Sequence, residues 1–356
     1  MSRAEDDKRL SIAWLRTKGG RFLHWWTVAR AVGMLCMMLG LAGLVRGPVP
    51  YPPIPGLARF HASVSSELLA IGITVLVIDN ANERLAMKQE KERLMLQLGS
   101  PSNEFAIEAL RQLRWRGYHA DGSLRNSKLI GAKLAGADLT KADLSHAVLG
   151  LADLTGADLC DSNLSHAILV EADLTEAYLI NADLTGAGLV QAQLSGAILQ
   201  GVNAFRANLS GADLERVNLG LADMSEANLH RANLKHATQR WIDLSGADLS
   251  EANLEGFEEL LDCYLAEAGQ MRGGIMPDGE VYDGRFNLDG DLADALRQGI
   301  STNDPKAMAE FYGVDQDAFE RGQTWAAENL EILLAQDKDE VYSDHFGRDL
   351  RIKVKF

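Results

Sequence analysis

Residues 137–159 read ADLTKADLSHAVLGLADLTGADL, with a leucine at nearly every fifth position. The same spacing runs from Leu124 to Leu254 and is replaced only at Ala204, Met224 and Gln239. Alanine stands two residues before most of these leucines, and aspartate or asparagine often lies between them. A period of five fits neither a helix of about 3.6 residues per turn nor a strand that alternates about every 2 residues. It predicts short extended segments separated by bends, with four such sides closing a square coil and the coils stacking into a solenoid.

The repeats resemble those of the pentapeptide-repeat family, whose pattern is A(D/N)Lxx. The segments that match it include ADLTK (137–141), ADLTG (152–156), ADLTE (172–176) and ANLSG (207–211). The resemblance covers 122–256 and implies a mostly β fold in a bacterial protein, a right-handed quadrilateral β-helix with four pentapeptides per coil. A bent leucine-rich repeat is the alternative fold, but its period of roughly 20–29 residues does not fit.

Charge divides the chain into one basic and two acidic regions. Residues 1–121 carry 16 Lys/Arg and 11 Asp/Glu, residues 122–256 carry 9 and 17, and residues 257–356 carry 10 and 22. The predicted domains are a basic N-terminus (1–24), a transmembrane hairpin (25–78), a helical membrane-proximal spacer (79–121), the β-helix (122–256) and a small, acidic, α-rich C-terminal cap or tail (257–356). The spacer is expected to be rigid, and an oligomerising coiled coil is the alternative for that segment.

Two apolar stretches in the first region predict membrane spans. Residues 25–45 contain one charged residue, Arg30, and residues 60–78 contain one, Glu67. A helix of about 20 apolar residues crosses a bilayer, and the proline-rich segment 46–59 would connect the two. Lys and Arg concentrate before and after the hairpin, which predicts a multi-pass inner-membrane protein with both termini in the cytoplasm and the lipid bilayer as a partner. A cleaved signal peptide and a buried helical hairpin are the alternatives.

Counting by coils sorts the outward residues of the predicted solenoid into four sides. One side carries alternating Asp and Asn, and the opposite side carries Asp153, Asp173 and Asp213. The other two are apolar, with Ile130 on one of them, and exposed apolar stripes often mark docking surfaces. The chain's own helices are the alternative cover. The candidate interaction residues are Asp143, Asn163, Asp183, Asn203, Asp223, Asp243, Val148, Ile168, Val170, Val190, Tyr178, Ile180 and Ile198.

The tail is expected to close the solenoid with a helix at 257–268, followed by a hairpin turn at 277–279. Phe319, Trp325 and Leu333 recur at helical spacing within 315–336. We expect this helix to fold back along the apolar side and shield Trp325 from water. The alternative is that the tail packs only on the last coil.

No catalytic, cofactor-binding or metal-binding residues are expected. His146 and His166 stand one coil apart, but Gly186 and Arg206 occupy the next equivalent positions, so a third metal ligand is missing. Four tail carboxylates lack the spacing of a calcium loop. The chain contains no P-loop or GxSxG motif, and its three cysteines are too few for a disulfide framework. The four carboxylates are Asp278, Asp283, Asp289 and Asp291.

The net charge of −15 argues against binding to nucleic acid, so no such partner is expected. The sequence favours a non-enzymatic, membrane-anchored scaffold that presents a rigid cytoplasmic β-helix to a cytoplasmic or membrane protein, or to a second copy of the chain. The family resemblance keeps open a DNA-mimicking protein that binds topoisomerases. An enzyme in the tail, or a channel or transport role for the hairpin, are further alternatives.

Overall fold

The computed structural model describes residues 31, 33–38, 41, 57–239, 241–258, 262–336, 342–343 and 349–350. The chain divides into two compact units, residues 1–92 and 93–356. Helix α1 (Leu57–Leu98) begins in the first unit and ends in the second.

In the first unit, a helical segment at 33–38 packs against α1 through two glycines. A Cβ atom on Gly72 would lie 2.8 Å from the carbonyl oxygen of Gly33 and 2.8 Å from the backbone nitrogen of Met37. Such an approach needs a residue without a side chain. Large apolar side chains point outward from both helices, since Met38 is 67% exposed and Val77 is 63% exposed.

Among the described residues, no helix is both long enough and apolar enough to cross a bilayer. The uncharged run in α1 lies between Glu67 and Asp79, and its 11 residues extend about 16 Å, against about 30 Å of hydrocarbon. The prediction of a multi-pass inner-membrane protein with cytoplasmic termini is therefore wrong, and the bilayer is not retained as a partner. The N-terminus at 1–24, most of the span at 25–45 and the connection up to residue 56 lie outside the described residues.

The rod, residues 128–258, is a stack of four-sided coils. Isolated parallel bridges join residues that are 20 apart, as in Val148 to Ile168 and Asp183 to Asn203. Each five-residue repeat contributes one bridged residue rather than a continuous strand. This confirms the predicted quadrilateral β-helix with four pentapeptides per coil. Outside the rod, the described residues include one small antiparallel pair of strands, β1 (Tyr342–Ser343) and β2 (Asp349–Leu350).

The repeat A(D/N)Lxx has a separate structural reason at each position. The Ala and Leu side chains point inward and are almost fully buried, as at Ala182 and Leu184. The residue between them points outward and forms the bridge. Its side-chain oxygen also accepts a hydrogen bond from the backbone two residues later, as from the Thr185 nitrogen to Asp183 Oδ1 at 2.9 Å. This local bond stabilises the bend and explains why Asp and Asn are so frequent.

Helix α2 (Asn103–Trp115) covers the first coil of the rod. In later coils, the carbonyl groups on the lower edge accept backbone hydrogen bonds from the coil below. In the first coil, Asn103 Nδ2 instead donates to the oxygens of Lys133 and Ala135, at 3.2 and 3.0 Å. Arg114 Nη1 donates to the oxygens of Asp138 and Thr140, at 3.2 and 3.0 Å. Two side chains therefore satisfy four carbonyl groups that would otherwise lack a partner in the stack.

At the other end, helix α3 (Asp262–Ala266) interrupts the coil without ending it. The chain returns to the ladder afterwards, and Asp248 pairs with Gln270 while Asn253 pairs with Ile275. These partners are 22 residues apart instead of 20. The predicted closing helix at 257–268 is therefore a five-residue helix within the solenoid, in a coil that is two residues longer than the others. The predicted hairpin turn at 277–279 is confirmed by an antiparallel bridge between Ile275 and Val281.

The tail then forms helices α4 (Asp289–Arg297), α5 (Pro305–Tyr312) and α6 (Gln316–Gln336) around an aromatic core. The rings of Tyr282 and Tyr312 meet edge to face, with centroids 5.5 Å apart. Trp325 packs against Phe286 at 5.7 Å. The members of this core are Tyr282, Phe286, Phe311, Tyr312, Phe319 and Trp325.

The tail attaches to the last coil and leaves the predicted side of the rod free. The buried carboxylate of Asp291 accepts hydrogen bonds from the backbone nitrogens of Met271 and Arg272, at 3.2 and 3.1 Å. Ile168 remains 47% exposed. The predicted fold-back along the apolar side is therefore wrong, because Trp325 finds its apolar surface within the tail's own core.

Candidate interaction site

The four sides of the rod are named here after one bridged residue of each: the Ile168, Asp173, Tyr178 and Asp183 sides. The bridges place the predicted acidic residues on one ladder, the Asp183 side, in the predicted order from Asp143 to Asp243. The Oδ1 atom of every member accepts a hydrogen bond from the backbone nitrogen two residues later, at 2.8–3.2 Å. Asn163 and Asn203 interrupt the charge. The polar residues of this side are thus explained by the backbone geometry that they stabilise.

Two carboxylates of the Asp173 side have partners within the rod. Lys133 Nζ lies 3.7 Å from Asp153 Oδ2 one coil above it. Asn233 Nδ2 donates to Asp213 Oδ1 at 2.9 Å. The ion pair neutralises one charge of this side, and the amide occupies an oxygen of a second carboxylate.

The Ile168 side carries apolar side chains over successive coils, of which Ile168 is exposed and the three valines are half-buried. Val148 and Ile168 are bridged to each other, and Val170 and Val190 stand two residues after bridged positions in neighbouring coils. Ile130 is 62% exposed. The structure therefore brings together four of the predicted residues on one side, with Ile130 at its lower end.

Leu151 belongs to the same surface and was missed by the sequence analysis. It occupies a corner of the coil with φ of 59° and is 58% exposed. The signal was a leucine at the last position of the repeat AVLGL (147–151), where neighbouring repeats carry glycine, lysine, histidine or glutamate. The apolar face is accordingly defined as Ile130, Val148, Leu151, Ile168, Val170 and Val190.

The Tyr178 side has a smaller apolar area. Tyr178 is 46% exposed and is bridged to Ile198, with Ile180 half-buried beside it. Cys160 lies one coil below Ile180, and burial raises the pKa of its thiol to about 11. The thiol is therefore protonated near neutral pH and is a weak nucleophile.

The imidazoles of His146 and His166 stack with their centroids 5.1 Å apart. The next corner holds Gly186, where an added Cβ would meet His166 Nδ1 at 2.7 Å. Glycine thus makes room for the His166 ring in the coil below it but offers no ligand. Within the described residues, no three His, Cys, Asp or Glu side chains are close enough together to hold a metal ion.

A cleft of about 480 Å³ at the junction of the rod and tail is lined by His230 and Ser250, which form a chain of polar groups with Asp248. Ser250 Oγ donates to Asp248 Oδ1 at 2.6 Å and lies 2.8 Å from His230 Nδ1. The serine hydroxyl is therefore held between the carboxylate and the imidazole. In a hydrolytic triad the imidazole takes that central place and withdraws the proton of the serine. This group lacks that arrangement.

Comparison with known proteins places the repeats in a known class. A sequence model described as "Pentapeptide repeats" matches in eight copies over segments between residues 123 and 238. HetL of the cyanobacterium Nostoc, a protein involved in heterocyst differentiation regulation, is 33% identical, with 44% of this chain and 87% of that chain covered and a TM-score of 0.26. No curated protein matches the chain.

Two further solved structures are similar to the chain. A pentapeptide repeat protein of the Arabidopsis thaliana thylakoid lumen is 27% identical, covers 35% of this chain and 82% of its own, and has a TM-score of 0.24. QnrB1, a plasmid-mediated fluoroquinolone resistance protein, is 17% identical, covers 50% and 88%, and has a TM-score of 0.29.

Proposed function

The chain belongs to the pentapeptide-repeat family, and on that premise we propose that it is a non-enzymatic scaffold that binds a protein through the apolar face of its rod. The observation that carries this proposal is the exposure of Ile130, Leu151 and Ile168, at 62%, 58% and 47%. They lie on one side of the rod in its first three coils. Leaving apolar surface in water costs about 25 cal/mol per Å², so a grouped surface of this kind favours a partner.

The backbone of the rod makes this surface rigid. Ile168 accepts a hydrogen bond from the Leu149 nitrogen at 2.7 Å and donates its own N–H to Ala147 at 2.9 Å. Equivalent bonds recur at each coil. The apolar side chains are therefore held at fixed spacing before a partner arrives, which reduces the entropy lost on binding.

The scaffold role is also supported by how the polar groups are used. The Asp and Asn residues of the ladders accept hydrogen bonds from their own bends, as Asp183 does from Thr185. The thiol of Cys160 is protonated. The hydroxyl of Ser250 donates to Asp248. Each of these contacts serves the fold rather than activating a nucleophile.

Site-specific photo-crosslinking tests the proposal. A diazirine-bearing aliphatic residue replaces Ile168 in the full chain, and a matched variant carries it at Asp173, on the next side of the same coil. We expect a protein adduct from position 168 and little or none from position 173. No adduct from position 168, or equal adducts from both positions, would refute binding through the apolar face.

A further inference from the structure

We infer that the partner of the apolar face is the same face of a second copy of this chain, with the two rods antiparallel and a two-fold axis between the levels of Ile168 and Gly188. This inference rests on the proposed function, since it names the protein that the face binds. Its basis is the order of large and small residues along the Ile168 side.

The ladder on this side changes from large to small within one coil. From the first coil upward, its bridged residues are Lys128, Val148, Ile168, Gly188, Asn208 and Asn228. Ile168 protrudes with 47% of its surface exposed. A Cβ atom on the next residue, Gly188, would find no atom within 4 Å. A protruding side chain thus lies directly beside a notch.

An antiparallel dimer turns this neighbouring pair into a complementary contact. A two-fold axis that is perpendicular to the rods and midway between the two levels places Ile168 of one copy opposite Gly188 of the other. The symmetry produces this contact twice, as in any isologous interface. An axis through the level of Ile168 would instead place the two isoleucines against each other and leave both notches empty.

The edge of the same face agrees with this register. Rotation about such an axis keeps the corner that contains Leu151 on the same edge, so that Leu151 faces Gly211. Leu151 is 58% exposed, and an added Cβ on Gly211 would touch only a flexible glutamine side chain, at 3.4 Å. Val170 faces Val190 two residues beyond the central pair. Three pairs of side chains thus fit in one register. In two of them a large side chain faces a glycine, and in the third two valines face each other.

Charge does not oppose this arrangement. Glu171, at the corner above Leu151, faces Gln191, and Lys128 faces Asn228. The overlap from Lys128 to Asn228 includes six levels, or about 29 Å at roughly 4.8 Å per level. Asp248, the next ladder residue above Asn228, lines a cleft together with Phe286 and Leu288 of the tail, and the face is therefore taken to end at Asn228.

Exchanging the protruding residue and the notch tests the register. Gly188→Ile places isoleucine against isoleucine, and Ile168→Gly removes the protruding residue, so each variant of the purified full chain should dissociate at concentrations about tenfold or more above those of the parent dimer. The double variant restores the complementary pair and should dimerise within about threefold of the parent. Analytical ultracentrifugation measures each constant. Gln193→Ile, which adds an exposed isoleucine on the Asp173 side of the same coil as Gly188, is the matched control and should not change dimerisation.

Each outcome decides the question. The structure accommodates Gly188→Ile because the site has space, and thermal unfolding of every variant checks that it folds. A double variant that folds but stays monomeric would overturn this register. A parent chain that stays monomeric at about 100 μM, well above the range of specific dimers, overturns self-association. If the diazirine at position 168 then still captures a different protein, the proposed function stands; if it captures none, both fail.

Discussion

The rod and the tail (282–336) bury their apolar residues in opposite ways. In the rod, one set of contacts recurs every 20 residues, with small and branched aliphatic side chains inside and a backbone ladder outside. In the tail, six aromatic side chains meet in arrangements that occur once. The rod therefore derives its stability from neighbouring coils, whereas the tail depends on a few contacts that no repeat can replace.

The largest effect should come from a single methyl group in the tail. Gly284 has φ of 81°, and an added Cβ would lie within van der Waals overlap of the Tyr312 ring. We expect Gly284→Ala to destabilise the tail by about 4 kcal/mol, because a left-handed backbone and an overpacked core both oppose it. Hydrogen exchange of tail and rod peptides measures where the loss occurs.

Gly299→Ala is the matched control for that prediction. Gly299 has φ of 76°, but nothing lies within 4 Å of an added Cβ. It should cost about 1 kcal/mol from the backbone alone. Equal losses at the two positions would show that packing against Tyr312 does not hold the tail together.

A truncation inside the rod should have a smaller and more evenly distributed effect. Leu184 is fully buried in a central coil. Leu184→Ala should cost about 3 kcal/mol through lost burial and a cavity, and Leu184→Met about 1 kcal/mol. Urea unfolding measures both values, and hydrogen exchange should place the loosening in the adjacent coils. Loosening confined to the tail, with the coils unchanged, would contradict the nearest-neighbour description of the rod.

The smallest effect concerns the junction and depends on pH. Burial raises the pKa of Asp291 from 3.8 to about 6, an effect that nearby Asp248 reinforces and that the backbone N–H groups of Arg272 and Met271 and the charge of Arg272 oppose. The folded tail therefore binds this proton more tightly than the unfolded chain does. Its contribution is complete below pH 3.8 and is lost as the pH rises through about 6.

We therefore expect the tail to gain about 2 kcal/mol between pH 7 and pH 4 from this one group. Urea unfolding of the full chain at several pH values measures the change, and Asp291→Asn should remove it while leaving the other titrations in place. If the stability of Asp291→Asn still changes with pH as much as that of the parent chain, other groups cause the change.

The fold of the rod could be predicted because its repeat length alone determines which residues lie next to each other. Once the period is known, the pairing of Asp143 with Asn163 and of Val148 with Ile168 follows from adding 20. The exposed corner at Leu151 was missed because only the outward residues of the four sides were sorted by coil. A list of corner residues every 20 positions would have found it.

The non-periodic contacts could not be predicted in this way. Asn103 reaches carbonyl groups 30 and 32 residues away, and Asp291 reaches the backbone of Met271, 20 residues away, through a fold that the local sequence does not specify. Hydropathy marked residues 60–78 as apolar but could not distinguish a bilayer from a helix that packs against another at Gly72. The apolar residues of α6 that recur at helical spacing likewise indicated that one face of the helix is buried. They did not indicate whether the rod or the rest of the tail covers that face.

The interval of 20 residues determines which side of the rod each outward residue faces. Duplicating a whole coil moves everything above it along the axis and keeps each side facing the same way, whereas inserting one pentapeptide rotates the upper part by a quarter turn. Such an insertion between Ile168 and Gly188 would carry the upper half of the apolar face onto another side of the molecule while every leucine stayed inside. Two residues of the rod whose numbers differ by a multiple of 20 therefore face the same direction. The two extra residues at α3 change this relation where the rod meets the tail.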